Sequence, residues 1–183
     1  MTKKERQELR IQEASKKNKK KKRKIFIGSS LLVAIFALVL VWFFTNQKPL
    51  PGEKVEVMDN QNHISNVNEE HEPYNTNPPT SGPHTEQIGN WGVYKETLPK
   101  EVLVHNLEDG GVVIYYNDKL DKESVTILEN IVKLHTSHVV LNPDPKLKDT
   151  ITLTAWGRMD KMDNLNEKRV EEFINAFKGV DHH

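Results

Sequence analysis

The longest apolar run in the chain, Ile25 to Phe44, has no charge and only two polar side chains, Ser29 and Ser30. Its 20 residues, at about 1.5 Å each, would span about 30 Å as a helix, the hydrocarbon thickness of a bilayer. A cleaved signal peptide would carry a shorter apolar region, roughly 7–15 residues, followed by a small-x-small site. This run instead ends in Trp42-Phe43-Phe44, and no such site follows in Thr45–Pro51. The pattern therefore predicts an uncleaved transmembrane signal anchor over residues 25–45. From residue 46 to residue 70 neither a helical nor an alternating apolar period survives among the Asn, Gln, Pro and acidic positions, which reads as a disordered tether. Residues 71–180 hold the periodic apolar positions of a folded domain of common size.

Within that domain the stretch Glu72–His84 is turn chemistry throughout, so it reads as an ordered loop laid over the domain, with Tyr74, Trp91 and Tyr94 as apolar anchors. Val102–Leu107 reads as a short strand. Asp109-Gly110 reads as a hairpin turn, and Gly111–Tyr116 as a buried strand. Asp121 caps a helix whose apolar face is Val125, Leu128, Ile131 and Val132. His138–Leu141 is the next strand, stopped by Asn142-Pro143. Thr150–Trp156 alternates Ile151, Leu153 and Ala155 against threonines, the mark of a half-exposed strand. Asn166 begins a last helix with Val170, Phe173, Ile174 and Phe177 on one face, ended by Gly179. The predicted fold class is α+β: a small, mainly antiparallel sheet with two packed helices and a long ordered N-terminal loop, preceded by one transmembrane helix. The β-α-β step around residues 112–141 allows a parallel pair, and with it a mixed sheet.

Charge changes the picture of the N-terminus. The formal net charge is zero, but residues 1–24 carry 12 Lys+Arg against 3 acids, and the remainder carries 14 against 23. Only three aliphatic residues (Leu9, Ile11, Ala14) break the basic segment, too few for a core. Lysines abutting an apolar run predict a cytoplasmic N-terminus and a C-terminal domain outside the cell membrane. The implied partners are the lipid bilayer, anionic lipid head groups at the basic arm and an unspecified envelope protein. The same reasoning leaves no need for nucleic acid. Without cysteine there are no disulfides, thiolate metal sites or cysteine nucleophiles.

Eight histidines raise the question of metal. His63 falls in the tether, His135 at a helix end, His138 at a strand start, and His182-His183 after the last helix. Each has an ordinary reading. His84 and His105 differ, because one ends the PPTSGPH loop and the other interrupts an apolar strand. In an extended chain Asp109 shares the face of His105, and Glu108 lies on the other. Histidine plus carboxylate suits a divalent transition ion such as zinc or copper. A shared ion requires the His84 and His105 nitrogens within about 4–5 Å, since each bond is about 2.1 Å. A nucleophile elbow around Ser81, an H-E-x-x-H motif and a phosphate loop are all absent from the sequence, which argues against catalysis.

The blocks PYNTNPPTSGPH (Pro73–His84), GVY (Gly92–Tyr94), LVHNLEDGGVVIYY (Leu103–Tyr116) and LTAWGR (Leu153–Arg158) together resemble the bacterial domain-of-unknown-function 3105 family. The resemblance runs from about His71 to Gly179. It implies a domain carried behind one N-terminal membrane helix and brings no activity with it. The family pattern runs PPTSGPH and then H-x-L-E-H-G-G. His84, His105 and Glu108 match it, whereas Asp109 stands where the family has histidine. Aspartate also donates to divalent ions, so the exchange can preserve a site while favouring harder ions. Arg158 in the last block could pair with Glu108 or bind an anion.

Three functions follow from this reading. The first is a binding module holding a divalent metal through His84, His105 and Asp109 or Glu108. The second is a non-catalytic cell-envelope interaction domain in which the same residues only brace a loop. The third, the weakest, is a metal-dependent hydrolase with Glu108 as general base.

Overall fold

The computed structural model describes residues 35–46 and 48–183, together with positions 10, 16, 17, 19, 20 and 26. The chain divides into two units, Met1–Pro49 and Leu50–His183. In the first, residues 35–45 are helical (α1). No helix among the described residues is long and apolar enough to cross a membrane. The transmembrane helix expected over residues 25–45 is corrected accordingly: its described part, residues 35–45, covers about 16 Å, half of a bilayer core. Position 25, positions 27–34 and most of the basic arm 1–24 lie outside the described residues.

The second unit runs β1 (Glu53–Lys54), β2 (His63–Ile64), β3 (His84–Thr85), β4 (Gly92–Val93), α2 (Lys100–Glu108), β5 (Val112–Tyr116), α3 (Lys122–Leu134), β6 (Val139–Pro143), β7 (Ile151–Ala155), β8 (Arg158–Met162) and α4 (Glu167–Phe177). Six of the strands form one α+β sheet in the order β1-β8-β7-β5-β6-β4. Its β1/β8, β8/β7 and β7/β5 pairs are antiparallel. β5, α3 and β6 make a crossover that leaves β5 and β6 parallel, with Val112 opposite Val139. β4 adds a second parallel pair at the edge.

Alternation along the strands divides the core in two. Val112, Ile114, Val139, Leu141, Ile151 and Leu153 point to one face and pack with Leu128 and Ile131 of α3 and with Val170, Phe173 and Ile174 of α4. Val113, Tyr115 and Val140 point to the other face and pack with Leu103 and Leu107 of α2. Both flanking helices on the first face are capped from the sequence. Asp121 accepts from the Ser124 N–H at 2.8 Å, and Asn166 from the Arg169 N–H at 3.1 Å.

Three expectations need correction here. Residues 46–70, expected as a featureless tether, carry β1, paired with β8, and β2, paired with β3. Arg158–Met162, left without an element, is β8, joined to β7 by a turn at Trp156-Gly157 with Gly157 at φ 62°. The third correction matters most for the site. Val102–Leu107 is not a strand but the body of α2, so this unit carries three helices rather than two. Its valines favour a strand on propensity, and burial hides its helical period. Val102, Leu103, Val104, Asn106, Leu107 and Glu108 are all buried, because α2 lies between the sheet and the loops that cover it.

Asp109-Gly110 then closes a helix rather than a hairpin. The Gly110 N–H donates to Leu107 O at 3.1 Å and the Gly111 N–H to Asn106 O at 2.7 Å. Gly110 sits at φ 77°. This is the double-bonded left-handed C-cap, for which glycine is suited because it lacks Cβ. An Asp-Gly pair serves a hairpin turn and this cap equally well, and only the chain on its N-terminal side decides between them.

Candidate metal centre

The helix in place of the predicted strand changes how the candidate residues meet. His105, Glu108 and Asp109 stand at spacings of three and four, so they share the C-terminal face of α2. That end of a helix is its negative pole, and two carboxylates there make a locus that favours a cation. The ring of His84 arrives from β3. Strand β2 pairs with β3 in parallel and places His63 directly opposite His84 in the register.

The three rings of His63, His84 and His105 lie with centroids 4.7, 5.1 and 5.3 Å apart. One ligand atom from each of the three lies within 4.8 Å of the others. This meets the distance that a shared ion requires. Glu108 lies beside them: its Oε2 is 2.9 Å from His84 Nε2 and 4.0 Å from His63 Nε2. For comparison, donors about 2.1 Å from a tetrahedral ion lie about 3.4 Å from one another.

Two hydrogen bonds fix which ring nitrogens face the cluster. His84 Nδ1 is 2.8 Å from Gly82 O, and His105 Nδ1 is 2.7 Å from Thr85 O. A carbonyl can only accept, so both Nδ1 atoms carry a proton, and in the neutral ring each Nε2 then presents a lone pair. Backbone carbonyls hold metal-ligating histidines in this way. His84 is fully buried, and its Nε2 has no hydrogen-bond partner. Its 2.9 Å approach to Glu108 Oε2 is that of a hydrogen bond in length but not in alignment. With a neutral ring, that nitrogen and the carboxylate oxygen are two acceptors facing each other, and the nitrogen is without a partner. A divalent ion would satisfy both.

This arrangement makes a prediction. Glu108→Gln puts an amide donor in front of the His84 Nε2 lone pair. In chelated protein it is expected to stabilise the fold by about 1 kcal/mol, the value of one recovered buried hydrogen bond. Urea midpoints of the two proteins measure it. A loss of stability would mean instead that the pair is a proton-sharing brace.

Asp109 is beside this cluster rather than at its centre. Its Oδ1 is 3.8 Å from His105 Nε2 and 2.7 Å from His183 Nε2. His183 Nδ1 in turn lies 3.6 Å from Glu108 Oε2. The hydrogen bond to Asp109 raises the pKa of His183 above its ordinary value, whereas burial lowers that of His182. His182 stacks on Trp156 with centroids 5.9 Å apart. Its N–H donates to Glu108 O at 3.0 Å.

The expected pairing of Arg158 with Glu108 is not made. Arg158 lies over the Phe177 ring, 5.8 Å from its centroid. His135 approaches Glu171 at 3.6 Å and His138 stacks on Trp91, as separate, ordinary residues. The sequence reading missed His63 and His183. No local signal marks them, because each reaches the cluster through a long-range contact.

An α+β domain with a histidine–carboxylate cluster at the end of one helix is thus the class that the fold and the site define. Residues 66–182 match the family of proteins of unknown function DUF3105, and the chain belongs to that family. No curated protein and no solved structure matches it.

Proposed function

We propose that this domain is a binding module for one divalent transition ion, held by His63, His84, His105 and Glu108. The observation that carries the reading is the buried, unpartnered Nε2 of His84, 2.9 Å from a carboxylate oxygen it does not bond. Three imidazole nitrogens and one carboxylate oxygen suit zinc or copper(II). Neutral nitrogens with a single carboxylate are a poor match for calcium or magnesium, which take mainly oxygen. Glu108 is buried against His84, which favours its holding an ion over its serving as a general base. In the alternative, in which these residues only brace the Pro78–Thr85 loop, that nitrogen finds a partner only by sharing a proton with Glu108.

Elemental analysis of the full chain, purified without a tag or chelator, tests the reading. The expected result is close to one zinc or copper per chain, and none in His84→Ala/His105→Ala. Metal-free protein that takes up neither ion when they are added would overturn it.

A further inference from the structure

His105 belongs to two groups of converging ligand atoms. One is His63, His84 and His105; the other is His105, Asp109 and His183, again with the ligand atoms within 4.8 Å of one another. Its Nδ1 is committed to Thr85 O, so a single lone pair, on Nε2, serves both groups. One lone pair ligates one ion. The groups are therefore two positions for one ion, not two sites that fill together.

The positions differ in exposure. The inner one contains fully buried His84 and Glu108, whose side chain is 9% exposed, beside His63 at 43%; the outer one contains Asp109 at 28% and His183 at 49%, and no buried member. The segment bearing His183 is held in place. The Gly179 N–H donates to Gly110 O at 2.7 Å and the His182 N–H to Glu108 O at 3.0 Å. The His183 ring presents Nε2 to Asp109 and Nδ1 to Glu108, so it stands between the outer and the inner carboxylate. We infer that His105, Asp109 and His183 form a second, weaker position for the divalent ion, exclusive of the inner one and sharing His105 with it. The inference rests on the proposed inner site. It gives the ion a stepwise path in which Asp109 and His183 are exchanged for His84 and Glu108 while His105 stays bound.

Zinc binding by the full chain, measured by equilibrium dialysis, tests it. Wild type is expected to hold one ion. His84→Ala is expected to hold one ion still, on the order of a hundredfold more weakly, because three partly exposed donors replace a set that contains buried His84 and Glu108. Adding His183→Ala is expected to abolish that residual binding. His63→Ala/Glu108→Gln, which opens no buried cavity, repeats the comparison should His84→Ala fail to fold. Two ions bound at once to wild type would overturn the inference. So would inner-site variants that bind none, or whose ion is indifferent to His183→Ala; in these cases the inner site stands alone. No ion on wild type would overturn both readings.

Discussion

Saturating zinc is expected to raise the unfolding free energy of the protein by about 4 kcal/mol at a free concentration a thousand times its dissociation constant. The His84→Ala/His105→Ala variant is expected to gain nothing. The reason lies in how the site is assembled. His63 and His84 meet only when β2 pairs with β3, and both meet His105 and Glu108 only when α2 has docked. An unfolded chain has single histidines but no such set, so binding energy becomes folding energy. The metal-free protein starts from a disadvantage that sharpens the effect, since it buries a lone pair against a carboxylate without a hydrogen bond between them. Urea midpoints with and without zinc, followed by chelator, measure the gain and its reversal. An equal gain in the double variant would place the binding elsewhere, for instance on exposed histidines.

How much of this was legible in the sequence depends on where each element finds its partners. The helices α3 and α4 carry one apolar face each and side-chain caps at Asp121 and Asn166, and the sequence predicts both. Strands β5, β6 and β7 are compact runs of β-formers bounded by turns and are legible as strands, although β7, expected to be half exposed, is buried along its whole length. α2 is not, because packing on both sides erases its period and its valines imitate a strand. β8 has the sequence RMDKM, with no run of β-formers; its pairing to β7 makes it a strand. The buried Asp160 within it is held by Arg169 of α4, a partner no local pattern announces. The same division holds at the site. His84, His105 and Glu108 stand in marked blocks. Asp109 was legible as a candidate but for the wrong geometry: the expected shared strand face is a helical i,i+4 relation. His63 and His183 could be found only by knowing that residue 63 pairs across to residue 84 and that the segment after α4 returns to the end of α2.

Leu107→Ala and Phe173→Ala are expected to destabilise the fold comparably, by about 3 and 4 kcal/mol, yet to separate in metal affinity. Both side chains are fully buried. They lie on opposite faces of the sheet: Phe173 packs with α3, α4 and the strand residues of that face, and Leu107 packs with Leu103, Val113, Tyr115 and Val140 on the other. Phe173 belongs to the core on the face of the sheet opposite α2, so its loss lowers stability while the pocket of donors keeps its shape. Leu107 lies between His105 and Glu108 in sequence and anchors the turn of α2 that presents both. A cavity beneath that turn lets the helix end shift. A displacement of a few tenths of an ångström matters at a site whose bonds are about 2.1 Å long, and a loss of affinity of about 10–100-fold is the usual scale for a disturbed support. Zinc titration against a competing chelator, at a temperature where both variants remain folded, reads the difference. Equal affinities in the two variants would mean that the donors are positioned by β2 and β3 alone, and that α2 supplies ligands without setting their geometry.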